Sequence, residues 1–194
     1  MIRLRKPSPA DVQAFLDAQA KLGLSYTAVG ATAGIPPAGY DVDHARVRLG
    51  DGEDIFRAAR AALCHWEHFR LGWVEAWPTD TPIREGEVVA VLARVLGLWW
   101  LNAAHLVYVV DQEGPVTAFG FAYGTLPGHA ESGEERFLVE WDREEGSVWY
   151  NLLAFSRPQH FLGRLGYPLV RRVQERFRRD SARAMQKAVG SSAR

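Results

Sequence analysis

The sequence predicts a single α+β domain in which a curved antiparallel sheet lies against a long C-terminal helix. Three observations carry that prediction. After Trp73 the chain breaks into short apolar runs divided by turn residues, the spacing of an antiparallel meander. Near the end, Leu169, Val170, Val173, Phe177, Ala184 and Ala188 form one apolar stripe at helical spacing. A sheet with one apolar face must cover it, and this terminal helix is the only long cover left.

The elements follow in order. Ser8-Pro9-Ala10-Asp11 reads as a helix start, with Ser8 as the cap, and Val12, Phe15, Leu16 and Ala20 give the helix a narrow apolar stripe. Residues 23–39, rich in Gly, Ala and Pro, predict an ordered loop without a dinucleotide fingerprint. Residues 40–49 alternate as a strand with an irregularity near Ala45. Asp51-Gly52 caps a second helix whose buried face is Ile55, Ala59, Leu63 and Trp66. Strands are then expected at 88–96, 103–111, 116–125, 136–142 and 148–155, and the last helix starts at Tyr167-Pro168 and runs to about Ala188. With Glu145-Gly146 as a two-residue turn, Trp141 faces Tyr150, Val139 faces Leu152 and Phe137 faces Ala154. That places these six side chains on one inward face. On strand 116–125, Phe119, Phe121 and Tyr123 line one side and Ala118, Gly120, Ala122 and Gly124 the other, small residues best explained by helix packing.

Composition bounds the function. The 194 residues are 47% hydrophobic and 24% charged, ordinary usage for one domain: residues 1–22 as an N-terminal helical extension, 23–194 as the main body. Lys+Arg and Asp+Glu both number 23, so no overall field draws nucleic acid. The apolar stretch 88–110 carries Arg94, and an arginine mid-span costs about 2.5–3.5 kcal/mol, so two buried strands fit it better than a membrane span. A single cysteine, Cys64, allows no internal disulfide, and the charged N-terminus lacks a signal-peptide core; a cytoplasmic protein is expected.

The chemistry-bearing residues do not spell a catalytic motif. His65 and His68, near Cys64, are an incomplete metal shell on a helix flank, so no metal or cofactor is expected. His129, Glu131, Glu134 and Glu135 cluster in a polar segment that reads mainly as a hairpin loop. Arg157 precedes the last helix, as an anion anchor or a loop tie. The last helix is basic and residues 131–145 are acidic, two patches able to meet each other or different partners.

The strings GYDVDHARVRLGDG, HWEHFRLGW, LWWLNAAHLVYVVD, FGFAYGTLPGHAESGEERFLVEW and SVWYNLLAFSRP resemble the bacterial and plant family called domain of unknown function nineteen-ninety, from about Leu24 onward. The resemblance brings no catalytic residues. It implies the helix-grip fold of START and birch-pollen-allergen proteins, whose members bind lipids, sterols or hormones under the long helix. Fold alone does not fix function.

The leading expectation is therefore a small hydrophobic or amphipathic ligand held between sheet and helix. Its wall would be Phe119, Phe121, Tyr123, Phe137, Val139, Trp141, Tyr150 and Leu152. His129, Glu131, Glu134 and Arg157 would supply polar points. An enzyme using His129, Glu131 or Glu134 for acid–base work, or a protein-interaction module, are the alternatives. Ligand identity and oligomeric state are open at this level.

Overall fold

The computed structural model describes residues 1–159 and 167–192. Eight strands form one antiparallel sheet: β1 (Ile2–Arg3), β2 (Asp41–Asp51), β3 (Val74–Trp77), β4 (Val88–Val95), β5 (Leu98–Gln112), β6 (Val116–Thr125), β7 (Glu131–Asp142) and β8 (Ser147–Pro158). Their order is β2-β8-β7-β6-β5-β4-β3, with β1 added against β5. Helices α1 (Pro9–Gln19), α2 (Glu53–Cys64) and α3 (Tyr167–Ser192) complete the fold.

Helix α1 begins as its sequence dictates: the Ser8 hydroxyl accepts from the Asp11 amide while the Asp11 carboxylate accepts from the Ser8 amide. Its Val12, Phe15 and Leu16 bury Ala90, Leu92, Leu101 and Ala103 on the outer face of the sheet. The stretch 88–110 is a β-hairpin whose turn residues, Leu96 and Gly97, both adopt positive φ. Among the described residues no helix is long and apolar enough to cross a membrane.

The inner face carries the main core. Phe121, Phe137, Val139, Tyr150 and Leu152 are fully buried beneath α2 and α3. Helix α2 ends at Cys64, and Trp66 takes a left-handed φ of 56° that starts a 3-10 turn over Glu67–Phe69. That reversal drives Trp66, His68 and Phe69 into the center of the sheet. His68 is thus core, stacked with Trp66 and against Phe137, rather than on a helix flank beside His65.

Several local expectations need correction. The β7–β8 register is shifted by two residues from the expected one: Phe137 faces Leu152, Val139 faces Tyr150 and Trp141 faces Val148. Both primed two-residue turns need positive φ at their first position, which Glu145 disfavors. Asp142 instead accepts from the amides of Glu144 and Glu145, and Gly146 alone takes the positive φ. The shift by two preserves the faces. In β2 the irregularity falls between Arg48 and Gly50, so Asp43, Ala45 and Val47 point inward and Val42 is exposed. Gly52, not Asp51, is the cap residue of α2 and makes no side-chain cap bond. Gly120 and Gly124 owe their size to other neighbors than a helix. A Cβ on Gly124 would stand 2.2 Å from the Tyr26 hydroxyl, and one on Gly120 would meet Leu138 at 2.7 Å.

Candidate functional site

Strand β7 starts at Glu131, five residues earlier than its apolar alternation reveals, and this builds the site. Glu131, Gly133 and Glu135 continue the inward row of Phe137 and Val139, while Glu134 and Arg136 face outward. Between this polar half of β7, the β3–β4 end of the sheet and α3 lies a cavity of about 170 Å³. Its apolar wall includes Phe69, Trp73, Val91, Ala93 and Phe177; Tyr123, Glu131 and Glu135 supply polar atoms.

Glu135 and Tyr123 are directly opposed on neighboring strands, and the phenol donates to the carboxylate over 2.8 Å. Burial pushes the Glu135 carboxyl up to about 7 and holds the Tyr123 phenol well above its usual range. Glu131 accepts from Ser156 Oγ at 2.7 Å and Gln174 Nε2 at 2.8 Å, and burial raises its pKa too. His129 Nδ1 accepts from the Glu131 amide at 3.0 Å, and burial lowers the ring to about 4, so it is neutral at physiological pH. Asn102 accepts from the Ala130 amide and donates to the Val91 carbonyl, fixing the turn that carries His129.

Helix α3 closes the polar end. Arg171 donates two bonds to Asp43, at 2.6 and 2.7 Å, and Arg178 adds a contact at 2.8 Å. Asp43, 7% exposed, is a tolerable buried carboxylate because these two guanidiniums meet it. Arg171 also donates to Gln174 Oε1. One hydrogen-bonded chain therefore runs from β2 through α3 to Glu131 on β7. The basic helix engages Asp43 of β2; the acidic β7–β8 turn is not its partner in these contacts.

Residues 25–184 match the family described as "Domain of unknown function (DUF1990)". The chain belongs to that family. A "UPF0548 protein" of Dictyostelium discoideum is 38% identical over 210 residues, covering 99% of this chain and 97% of that protein. A "UPF0548 protein" of Deinococcus radiodurans is 38% identical over 202 residues, covering 98% and 100%. Among solved structures, TTHA0849 from Thermus thermophilus superposes with a TM-score of 0.52 at 15% identity, covering 79% of this chain and 100% of that one. The two share a fold, a curled antiparallel sheet gripping a C-terminal helix.

Family membership leaves the side chains to be placed. Tyr123, His129, Glu131 and Glu134 are among the residues that line the cavity. Phe119, Phe121, Phe137, Val139, Trp141, Tyr150 and Leu152 do not: they pack in the core beside it, because the 3-10 turn of residues 67–69 fills that half of the sheet. The Glu134 carboxylate lies on the outer face, accepting from Tyr26 Oη at 2.6 Å, the Gly30 and Thr32 amides at 2.7 and 2.9 Å, and the Thr32 hydroxyl. It fastens the 23–39 loop and has no acceptor capacity left for acid–base work. Arg157 is exposed and stacks on Tyr40 at 4.6 Å, outside the cavity. Sequence reasoning passed over Asp43, Gln174 and Arg178 as site residues and met Glu135 only as one of the polar cluster around His129. Period-two counting back from Phe137 finds Glu135; nothing local in the sequence marks Asp43.

Proposed function

We propose that the protein binds a small amphipathic ligand in the cavity between the sheet and α3. The observation that carries this reading is the cavity itself, aromatic along one wall and polar at the β7 end. Its volume of about 170 Å³ is close to the roughly 150 Å³ of an engineered apolar cavity that accepts benzene. The ligand is thus about the size of one substituted ring. A sterol or a lipid chain is larger and would require α3 to move outward.

Native mass spectrometry after exposure to a mixed metabolite extract tests the reading. A bound small molecule is expected on the wild type, and its loss on Ala93→Phe, which fills the cavity from β4. Equal adducts on both proteins would refute the site. An acid–base enzyme on the same ligand is the second reading, favored by Glu135, whose raised carboxyl meets Tyr123 in the cavity wall. Turnover of the captured molecule that disappears in Glu135→Gln supports it; an unchanged molecule after prolonged incubation rejects it.

A further inference from the structure

The charge that the cavity carries once its glutamates ionize specifies what it accepts. On the inner face three carboxylates (Asp43, Glu131 and Glu135) stand against two guanidiniums, Arg171 and Arg178. Both guanidiniums bind Asp43. Among the described residues neither Glu131 nor Glu135 enters an ion pair; their partners are the hydroxyls of Ser156 and Tyr123 and the amide of Gln174. His129, neutral, adds no charge. The group is left one negative charge in excess when both glutamates are ionized.

Buried charge of this kind is costly unless something compensates it. Among the described residues no side chain supplies that compensation, although an ordinary sequence change would: a lysine in place of Gln174 would meet Glu131 directly. Gly133 lies between the two glutamates on the inward row, and a Cβ there would come within 1.9 Å of the Phe155 carbonyl oxygen, so the strand can place no side chain in that gap. The rest of the wall is aromatic. Phe69, Trp73, Tyr123 and Phe177 line the same space, and ring faces attract cations. Arg176 already occupies one face of Trp73 from outside, at 4.2 Å, so this wall holds a cation elsewhere in the same structure.

We propose that the ligand is a small organic monocation, a protonated amine on a ring-sized apolar body, with its ammonium at the end of the cavity that Glu131 and Glu135 line. This rests on the ligand-binding reading above and names the ligand class for the same cavity. A single positive charge balances the excess; an anion would face two unpaired carboxylates, and a neutral guest would strip water from them without recompense. A metal ion fits less well, because among the described residues no three His, Cys, Asp or Glu side chains converge at ligating distance. An ammonium needs only a charge-assisted carboxylate contact and the aromatic wall.

The test compares three probes of one shape: benzylamine, benzyl alcohol and benzoate, titrated into the full chain by calorimetry and by NMR of the ring and methyl signals around the cavity. Benzylamine should bind at least about tenfold tighter than benzyl alcohol, and benzoate should not bind, since a charge-assisted bond is about twice as strong as a neutral one. Glu135→Gln and Glu131→Gln should each cost benzylamine about ten- to hundredfold and leave benzyl alcohol nearly unchanged. Repeating the titration in two buffers at about pH 6.5 counts protons; benzylamine should release them, since a cation displaces the proton from Glu135. The groups facing Glu135 in that exchange are Tyr123, Tyr150, Asp43, Glu131 and Arg178. The proton count on the wild type keeps the test decisive if a variant folds poorly. Benzyl alcohol or benzoate binding as tightly as benzylamine would overturn the cation assignment and leave the cavity reading standing. If none of the three perturbs the cavity signals, both fall.

Discussion

Replacing His68 by leucine should stabilize this protein, and the expected amount follows from its surroundings. The imidazole is fully buried, and neither ring nitrogen has a hydrogen-bond partner among the described residues. Its neighbors are the rings of Trp66, Phe69, Phe121 and Phe137. A buried polar group without a partner costs about 1–3 kcal/mol, and an apolar side chain of similar volume avoids that cost. A gain of about 1–3 kcal/mol near neutral pH should raise Tm by about 2–4 °C per kcal/mol for a chain of this length. Acid widens the difference. Burial lowers the folded-state pKa to about 3 against 6.5 for the free side chain, so between those values the unfolded chain binds the proton and the folded one does not. Stability is therefore complete above pH 6.5 and drains as pH falls toward 3, at about 1.36 kcal/mol per unit. At about pH 5 the wild type has lost roughly 2 kcal/mol from this residue, a loss the leucine variant does not share. Urea denaturation at the two pH values measures both terms. A leucine variant destabilized by more than about 1 kcal/mol at both would refute the argument and show that His68 has a partner of its own.

Three more outcomes are open to measurement. Glu135→Gln should flatten the neutral limb of the stability profile. With a folded pKa of about 7 above an unfolded 4.5, the glutamate favors the fold below 4.5 and loses that contribution as pH rises through 7. Denaturation from acid to neutral pH should show the variant gaining up to about 3 kcal/mol on the wild type. Glu134→Ala leaves the Tyr26 hydroxyl and the Gly30 and Thr32 amides without their acceptor, so it should cost about 3 kcal/mol or more and expose residues 23–39 to protease. Gly124→Ala drives a methyl into Tyr26, which should destabilize by about 1–3 kcal/mol; adding Tyr26→Phe, which removes the nearest atom, should restore part of that in a double-mutant cycle.

The strands of the meander, the capped first helix and the terminal helix are legible in the sequence because each rests on a local signal: alternation, a capping box, a stripe. The hairpin of residues 88–110 shows where that signal fails. Leu98, Trp99, Trp100 and Leu101 are strand residues. Yet the two indoles, only partly buried, mask the alternation that would have placed the strand there. The site was harder to see for a related reason. Glu131 and Glu135 occupy inward positions of a strand that should by pattern be apolar, so they read as loop. Sites break patterning in this way, and only the neighbor across the strand, Tyr123, explains Glu135. Asp43 requires two arginines more than 120 residues downstream, information no window on the sequence contains. The solid packing under Phe121 and Phe137 depends on one backbone reversal at Trp66, for which Trp is a poor sequence cue.

The sheet ends at β2 on one side and β3 on the other, and these two strands never hydrogen-bond to each other. A closed barrel ties strand number, tilt and stagger together, so altering one strand disturbs all of them. Here the seam is left to the terminal helix, and lengthening β3 or exchanging Val173 or Phe177 resizes the interior without rethreading the rest. Descendants of such a scaffold can change guests through a few substitutions along one seam while the other six strands keep their pairing.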